Sequence, residues 1–201
     1  ENTKAIVLVH VLGFNGLTDE IVKIAKENDL LLIEDCCESH GATFKGQHVG
    51  TIGDMSCFSF YFGHHMTTIG IEQLKRLDYN ISIRQKNLHT WLSNLDPEIY
   101  FVDFDVEGSS NYALPLILNK NYKKMNEVCS TLKKEGVEYR LGTAGGGNQA
   151  RQPYLERYDF KVCGDLDVSN YIHDYGLYIG NHPELKEEDI IYLCNKLNFR
   201  G

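Results

Sequence analysis

The strongest constraint on the fold lies in the first 35 residues. Residues 5–11 (AIVLVHV) form a continuous apolar run rich in β-branched side chains, the pattern of a strand covered on both faces. Gly13 and Gly16 punctuate the chain after it, and Thr18-Asp19-Glu20 supplies an N-cap and an acidic first turn. Ile21, Ile24 and Ala25 carry a helical stripe that runs out at Asn28. A second apolar run, residues 30–33, ends in Glu34-Asp35. Strand, helix and strand in so short a span make a βαβ unit, which demands a parallel sheet. Ligands of such sheets bind beyond the carboxyl ends of the strands. Asp35 stands at such an end, although by itself it reads better as a turn or capping acid.

The remaining pattern is mixed. Residues 41–50 (GATFKGQHVG) predict a short hairpin, and residues 54–62 (DMSCFSFYF) an aromatic-rich strand running into Gly63-His64-His65. Ile71, Leu74, Leu77, Ile81, Leu88 and Leu92 mark a long amphipathic helix. Strands are expected over 100–104, 112–118, 137–140 and 176–179, with helices over 121–135 and 185–197. The architecture is therefore α/β: a mostly parallel first part (1–69) followed by an α+β C-terminal part (70–201). No internal repeat and no flexible linker interrupts it.

Composition narrows the function. Twenty-eight acidic against 20 basic residues give a net charge of −8, which excludes a broadly basic nucleic-acid surface. No apolar run approaches the roughly 20 residues of a membrane helix. The six cysteines form no C-x-x-C pair and show no zinc-finger spacing with histidine. A zinc site drawing on Cys36, His40, His48 and His64 has only unremarkable spacing behind it. Free thiols of a cytoplasmic protein are the expectation, and no metal is expected.

The informative stretch is residues 30–69, LLLIEDCCESHGATFKGQHVGTIGDMSCFSFYFGHHMTTI. A strand ending in Glu-Asp is followed by H-G-A-x-x-x-G-x-x-V-G, then G-D-x-x-x-F-S-F-Y. This chain resembles the PLP-dependent sugar aminotransferases and dehydratases of aspartate-aminotransferase fold type I. The resemblance implies a partial large PLP-binding domain with a mostly parallel sheet, joined to a C-terminal α+β small domain. It makes Asp35 the partner of the cofactor's pyridine nitrogen, places Glu38 near the cofactor's 3-oxygen, and makes Ser59 a phosphate ligand. Where the aminotransferases carry the Lys that bonds the cofactor, this chain has His64, and Glu38 replaces the family's Gln. Both departures, with GIEQLKRL, VEYR and GLYIGNHP downstream, are similar to the 3-dehydratase branch of the family.

What that branch implies is removal of the C3 hydroxyl of a nucleotide-linked 4-keto-6-deoxyhexose in deoxysugar and O-antigen biosynthesis. His64 would be the base, pyridoxal and pyridoxamine phosphate the cofactor forms, and glutamate the amino donor. An imidazole transfers protons near neutral pH without the covalent attachment of a Lys. Arg140 and Asn148, flanking the glycine-rich loop 142–147, are the expected substrate contacts, with Arg151 beside them. A homodimer with shared active sites follows from the same likeness. It further implies a phosphate-contacting turn ahead of Glu1 and a segment between Ile69 and Gly70, neither of which this sequence contains. An iron–sulfur-dependent 3-dehydrase and a non-catalytic sugar-nucleotide-binding relative are the competing readings.

Overall fold

In a computed structural model, which describes residues 2–60, 73–119, 122–142 and 147–199, the chain divides into two units. Unit 1 comprises residues 1–90, 104–113 and 181–186, and unit 2 the remainder. The 69/70 boundary expected from the sequence lies outside the described residues.

Unit 1 is built on the expected βαβ element. Strands β1 (Ala5–Val9) and β2 (Leu31–Asp35) pair in parallel, with Ala5 opposite Leu31 and Val9 opposite Asp35. Helix α1 (Asp19–Glu27) crosses between them, and the Thr18 side chain accepts the Ile21 N–H at 3.2 Å as its cap. Strands β3 (Thr43–Phe44) and β4 (Gln47–His48) form the expected hairpin around Lys45 and Gly46, both in the left-handed region. Strand β5 (Met55–Cys57) adds to β2, again in parallel, giving the order β1-β2-β5. The sequence predicts a longer strand here. Its ladder stops at Cys57 because β2, its partner, ends opposite it at Asp35.

Residues paired in register share a face of a sheet. On one face, Ile6, Leu8 and Leu32 pack with Leu17, Ile21, Val22 and Ala25 into the core of the unit. On the other face Val7, Val9, Leu31 and Met55 are between 47% and 65% exposed. The expectation of a strand covered on both sides is thus met on one side only among the described residues. Asp35 and Cys57, opposite each other in register, stand at the carboxyl end of the open face.

Helix α2 (Leu77–Asn94) follows the predicted amphipathic pattern from Leu77 onward; Ile71, the first position of that pattern, lies outside the described residues. Its buried face in unit 1 carries Ile81 and Leu88 but also Arg84 and Asn87. Residues 181–182 accept hydrogen bonds from both of these side chains. Arg84 Nε donates to the Asn181 carbonyl (3.0 Å), and Asn87 Nδ2 donates to Asn181 Oδ1 (3.0 Å) and the His182 carbonyl (3.1 Å). The GLYIGNHP segment therefore has a structural role through its Asn-His pair.

Unit 2 holds a three-stranded sheet, β6 (Ala113–Ile117), β7 (Tyr139–Leu141) and β8 (Gly176–Gly180), with β8 central and antiparallel to β7. Helices α3 (Tyr122–Lys134) and α5 (Glu187–Leu197) match expectation; α4 (Asp167–Tyr175) was not foreseen. Val168, Tyr171, Ile172 and Tyr175 carry an apolar stripe at helical spacing, but no side chain caps the helix and none of its residues is fully buried. Trp91, fully buried, donates its indole N–H to the Pro115 carbonyl at 2.8 Å, and Tyr100 donates its hydroxyl to the Leu197 carbonyl at 2.8 Å. Instead of the strand expected over 100–104, only an isolated bridge joins Tyr100 to Leu118, and pairing ends after Phe101 N–H reaches the Ile117 carbonyl.

Candidate functional site

Glu34 and Asp35 end β2 and point to opposite faces. Glu34 is fully buried. Its carboxylate accepts the backbone N–H groups of Gly50 (2.8 Å), Ile52 (3.0 Å) and Gly53 (2.6 Å), and it lies 3.3 Å from His10 Nε2. His10 Nδ1 accepts the Gly16 N–H at 3.1 Å, so the proton of the neutral ring sits on Nε2 and is donated to Glu34. Burial pulls the His10 pKa below its ordinary value despite the nearby carboxylate. Burial alone would raise Glu34; the three backbone N–H groups and His10 outweigh it and hold the carboxyl below the usual range. Glu34 is spent on pinning the 50–53 loop to the strand.

Asp35 is half-buried and faces the open side. Its Oδ1 accepts the Cys37 N–H at 3.1 Å. Burial pushes its pKa up, but hydrogen bonds from the Cys37 side chain and N–H and from the Cys57 thiol bring it below the ordinary carboxylate range. It is therefore an anion at neutral pH, at the carboxyl end of a parallel sheet. That is the chemistry a protonated pyridine nitrogen requires.

Glu38 is fixed by two donors: the Leu12 N–H at 2.6 Å on one oxygen and the Tyr112 hydroxyl at 3.0 Å on the other. The turn that aims the Leu12 N–H is strained, with Leu12 at φ 54°, a conformation that costs a non-glycine residue roughly 1–2 kcal/mol. It is held from the other side by the Asn111 side chain on the Leu12 carbonyl (2.9 Å) and the Ser110 N–H on the Gly13 carbonyl (2.8 Å). Gly13 sits at φ +87°, and a Cβ there would fall 1.9 Å from the Ser110 carbonyl oxygen, so only glycine fits. Ser59 lies half-buried two residues beyond β5, between Phe58 and Phe60, whose rings flank His40 at 5.3 and 5.7 Å. Asp35, Glu38 and Ser59 thus belong to one unit.

The other expected site residues are His64, Arg140 and Asn148. His64 lies outside the described residues, as do positions 143–146 of the glycine-rich loop. Arg140 is exposed on β7 in unit 2. Asn148 is buried, its Oδ1 accepting the Ala150 N–H (2.9 Å) and its Nδ2 donating to Asn170 Oδ1 (2.8 Å). Its oxygen holds the 149–151 turn and its amide nitrogen ties that turn to α4. Arg151 pairs with Asp174 at 2.9 Å. Tyr112 and the Leu12 turn escaped sequence reasoning. The signal for the turn was His10 and Gly13 closing the apolar run, while Tyr112 carries none, since its reach to Glu38 is set by the tertiary fold.

The sequence profile of the DegT/DnrJ/EryC1/StrS aminotransferase family matches residues 1–70 and 67–198. The chain belongs to that family. Within it, the chain is 27% identical over 260 aligned residues to GDP-4-keto-6-deoxy-D-mannose 3-dehydratase of Escherichia coli O55:H7, covering 96% of this chain and 67% of the relative. It is 28% identical to the protein of the same name from Yersinia pseudotuberculosis, covering 98% and 67%. The solved Escherichia coli dehydratase with bound hydrated PLP superposes with a TM-score of 0.88 at 27% identity, covering 98% of this chain and 68% of that one. The aminotransferase from Psychrobacter cryohalolentis, at 20% identity and a TM-score of 0.85, shares the fold. The PLP-dependent aminotransferase fold expected from the motif is the fold observed.

Proposed function

We propose that this protein is a PLP/PMP-dependent 3-dehydratase that removes the C3 hydroxyl of a nucleotide-linked 4-keto-6-deoxyhexose of the GDP-4-keto-6-deoxymannose type. The observation that carries the reading is Asp35: an ionised carboxylate at the carboxyl end of the open sheet face, held in place by its own turn. Likeness to two dehydratases over nearly the whole chain supports it. Bound at Asp35, the cofactor supplies the amino group and an electron sink. Asp35 keeps the ring nitrogen protonated, Glu38 orients the ring through its 3-oxygen, and Ser59 donates a hydroxyl to the phosphate. His64, at the position of the aminotransferase Lys, is the base that moves the proton during loss of the hydroxyl. Arg140 offers a cation to the diphosphate of the substrate. Glutamate is the amino donor, and the working unit is a cytoplasmic homodimer. Among the described residues, no helix is long and apolar enough to cross a membrane.

The test is turnover by the full-length protein with PMP, glutamate and GDP-4-keto-6-deoxymannose, reading ammonia release and product mass together. A 3-deoxy product with one ammonia per turnover is the expected result. His64→Asn should abolish it while PMP still binds; an active His64→Asn enzyme refutes the role of His64, and no product from the wild type refutes the reaction. Turnover that depends on added iron would favour the iron–sulfur chemistry instead.

A further inference from the structure

The open face of the unit 1 sheet carries two thiols beside Asp35. Parallel register sets Cys57 opposite Asp35, and the Cys36 N–H to the Cys57 carbonyl (2.9 Å) closes the ladder. Cys37 follows, with its N–H on Asp35 Oδ1, so the turn folds it back towards the carboxylate. The two Sγ atoms are 3.9 Å apart, and they and a carboxylate oxygen of Asp35 all lie within 4.8 Å of one another. Asp35 and Cys37 are partly accessible and Cys57 is exposed.

Two chemistries compete for such a trio. A disulfide needs the sulfurs about 2.05 Å apart, so they would have to close by nearly half their separation. A tetrahedral zinc ion with Zn–S bonds of about 2.3 Å holds its two sulfurs about 3.8 Å apart. The observed 3.9 Å matches the second geometry without movement. A carboxylate oxygen supplies the third ligand, and the exposed side leaves the fourth position to water. Two thiolates and one carboxylate favour soft divalent ions over magnesium or calcium. We propose that Asp35, Cys37 and Cys57 form a site for a thiophilic divalent cation of the zinc class. On binding, each thiol gives its proton to solvent and two metal–sulfur bonds form, with no change of oxidation state. The sequence expectation of no metal rested on spacing, which cannot show that the ends of β2 and β5 bring these side chains together.

The site has a consequence that rests on the proposed function. Asp35 cannot serve both a metal ion and a pyridine nitrogen, so cation and cofactor exclude one another. Soft metals would then hold the cofactor-free protein in an unloaded state.

Titration of the cofactor-stripped, full-length protein with cadmium, followed by the ultraviolet thiolate-to-cadmium charge-transfer band, tests the site. The band should saturate at one cadmium per chain, with zinc displacing it. Cys37→Ser and Cys57→Ser should each weaken binding at least tenfold, whereas Cys163→Ser, exposed in unit 2, should not change it. Thermal unfolding of each variant without metal verifies that it is folded. Absence of the band, or an unchanged affinity in both variants, overturns the proposal. Saturation with PLP should suppress the band; a band unaffected by PLP leaves the cation site standing and removes Asp35 from the cofactor.

Discussion

Glu34 and Asp35 are adjacent acids in one strand, and the two faces of the sheet give them opposite fates. Glu34 meets three backbone N–H groups and a neutral histidine in a dry interior, so every lone pair it offers is used by the fold. Asp35 meets one backbone N–H and two thiols on a face that the described residues leave open, so it retains capacity for a ligand. The alternation of a strand is enough to separate an acid that builds the site's frame from an acid that does its chemistry. Chemical type alone could not have told them apart.

Breaking the frame should cost most. Glu34→Ala leaves three N–H groups without an acceptor, at about 1–3 kcal/mol each when buried, so a loss of at least about 3 kcal/mol is expected in denaturant unfolding. Asp35→Asn keeps an oxygen for the Cys37 N–H and should stay within about 1 kcal/mol of wild type when the cofactor is absent. Equal destabilisation by the two would erase the division of labour between the faces.

Acid should find the buried side next. The His10 pKa is depressed in the folded state, so the unfolded chain binds the extra proton and stability falls as pH drops below the ordinary histidine value near 6.5. The slope from this group is at most about 1.4 kcal/mol per pH unit. Glu34, also depressed, adds its own loss at lower pH, below its ordinary value near 4.5. Thermal unfolding between pH 7 and 5 should show the first fall, and His10→Gln should flatten it. A slope unchanged in that variant would assign the titration elsewhere.

Smaller effects sharpen the comparison. Tyr112→Phe removes one of the two donors on Glu38 and should cost about 1 kcal/mol, together with a weaker grip on the cofactor. Thr18→Ala uncaps α1, the helix that covers the buried face, at about 1 kcal/mol, with cofactor affinity unchanged. If Thr18→Ala lowered cofactor affinity as much as Tyr112→Phe, the open face would not be independent of the covered one.

Much of this was legible in the sequence because it is local. The apolar runs at residues 5–11 and 30–33, the Thr18 cap and the Lys45-Gly46 turn each declare themselves within a few residues. Asp35 was legible as a strand-end acid, and its role came from the motif around it. Partners far apart in the chain were not legible: Glu34 with the 50–53 loop, Tyr112 with Glu38, and Cys37 with Cys57 meet only through tertiary packing. A structural role of Asn148 was not legible for a related reason. An asparagine beside a glycine-rich loop suits a ligand contact, but its oxygen serves as well to cap a turn two residues on, and here it does.

The division between the faces is tested most directly by PLP affinity in the full-length protein. Absorbance titration should show Asp35→Asn binding at least tenfold more weakly than wild type, while the stability of the cofactor-free variant stays within about 1 kcal/mol of wild type. Undiminished affinity in Asp35→Asn would contradict the assignment of the open face to the cofactor.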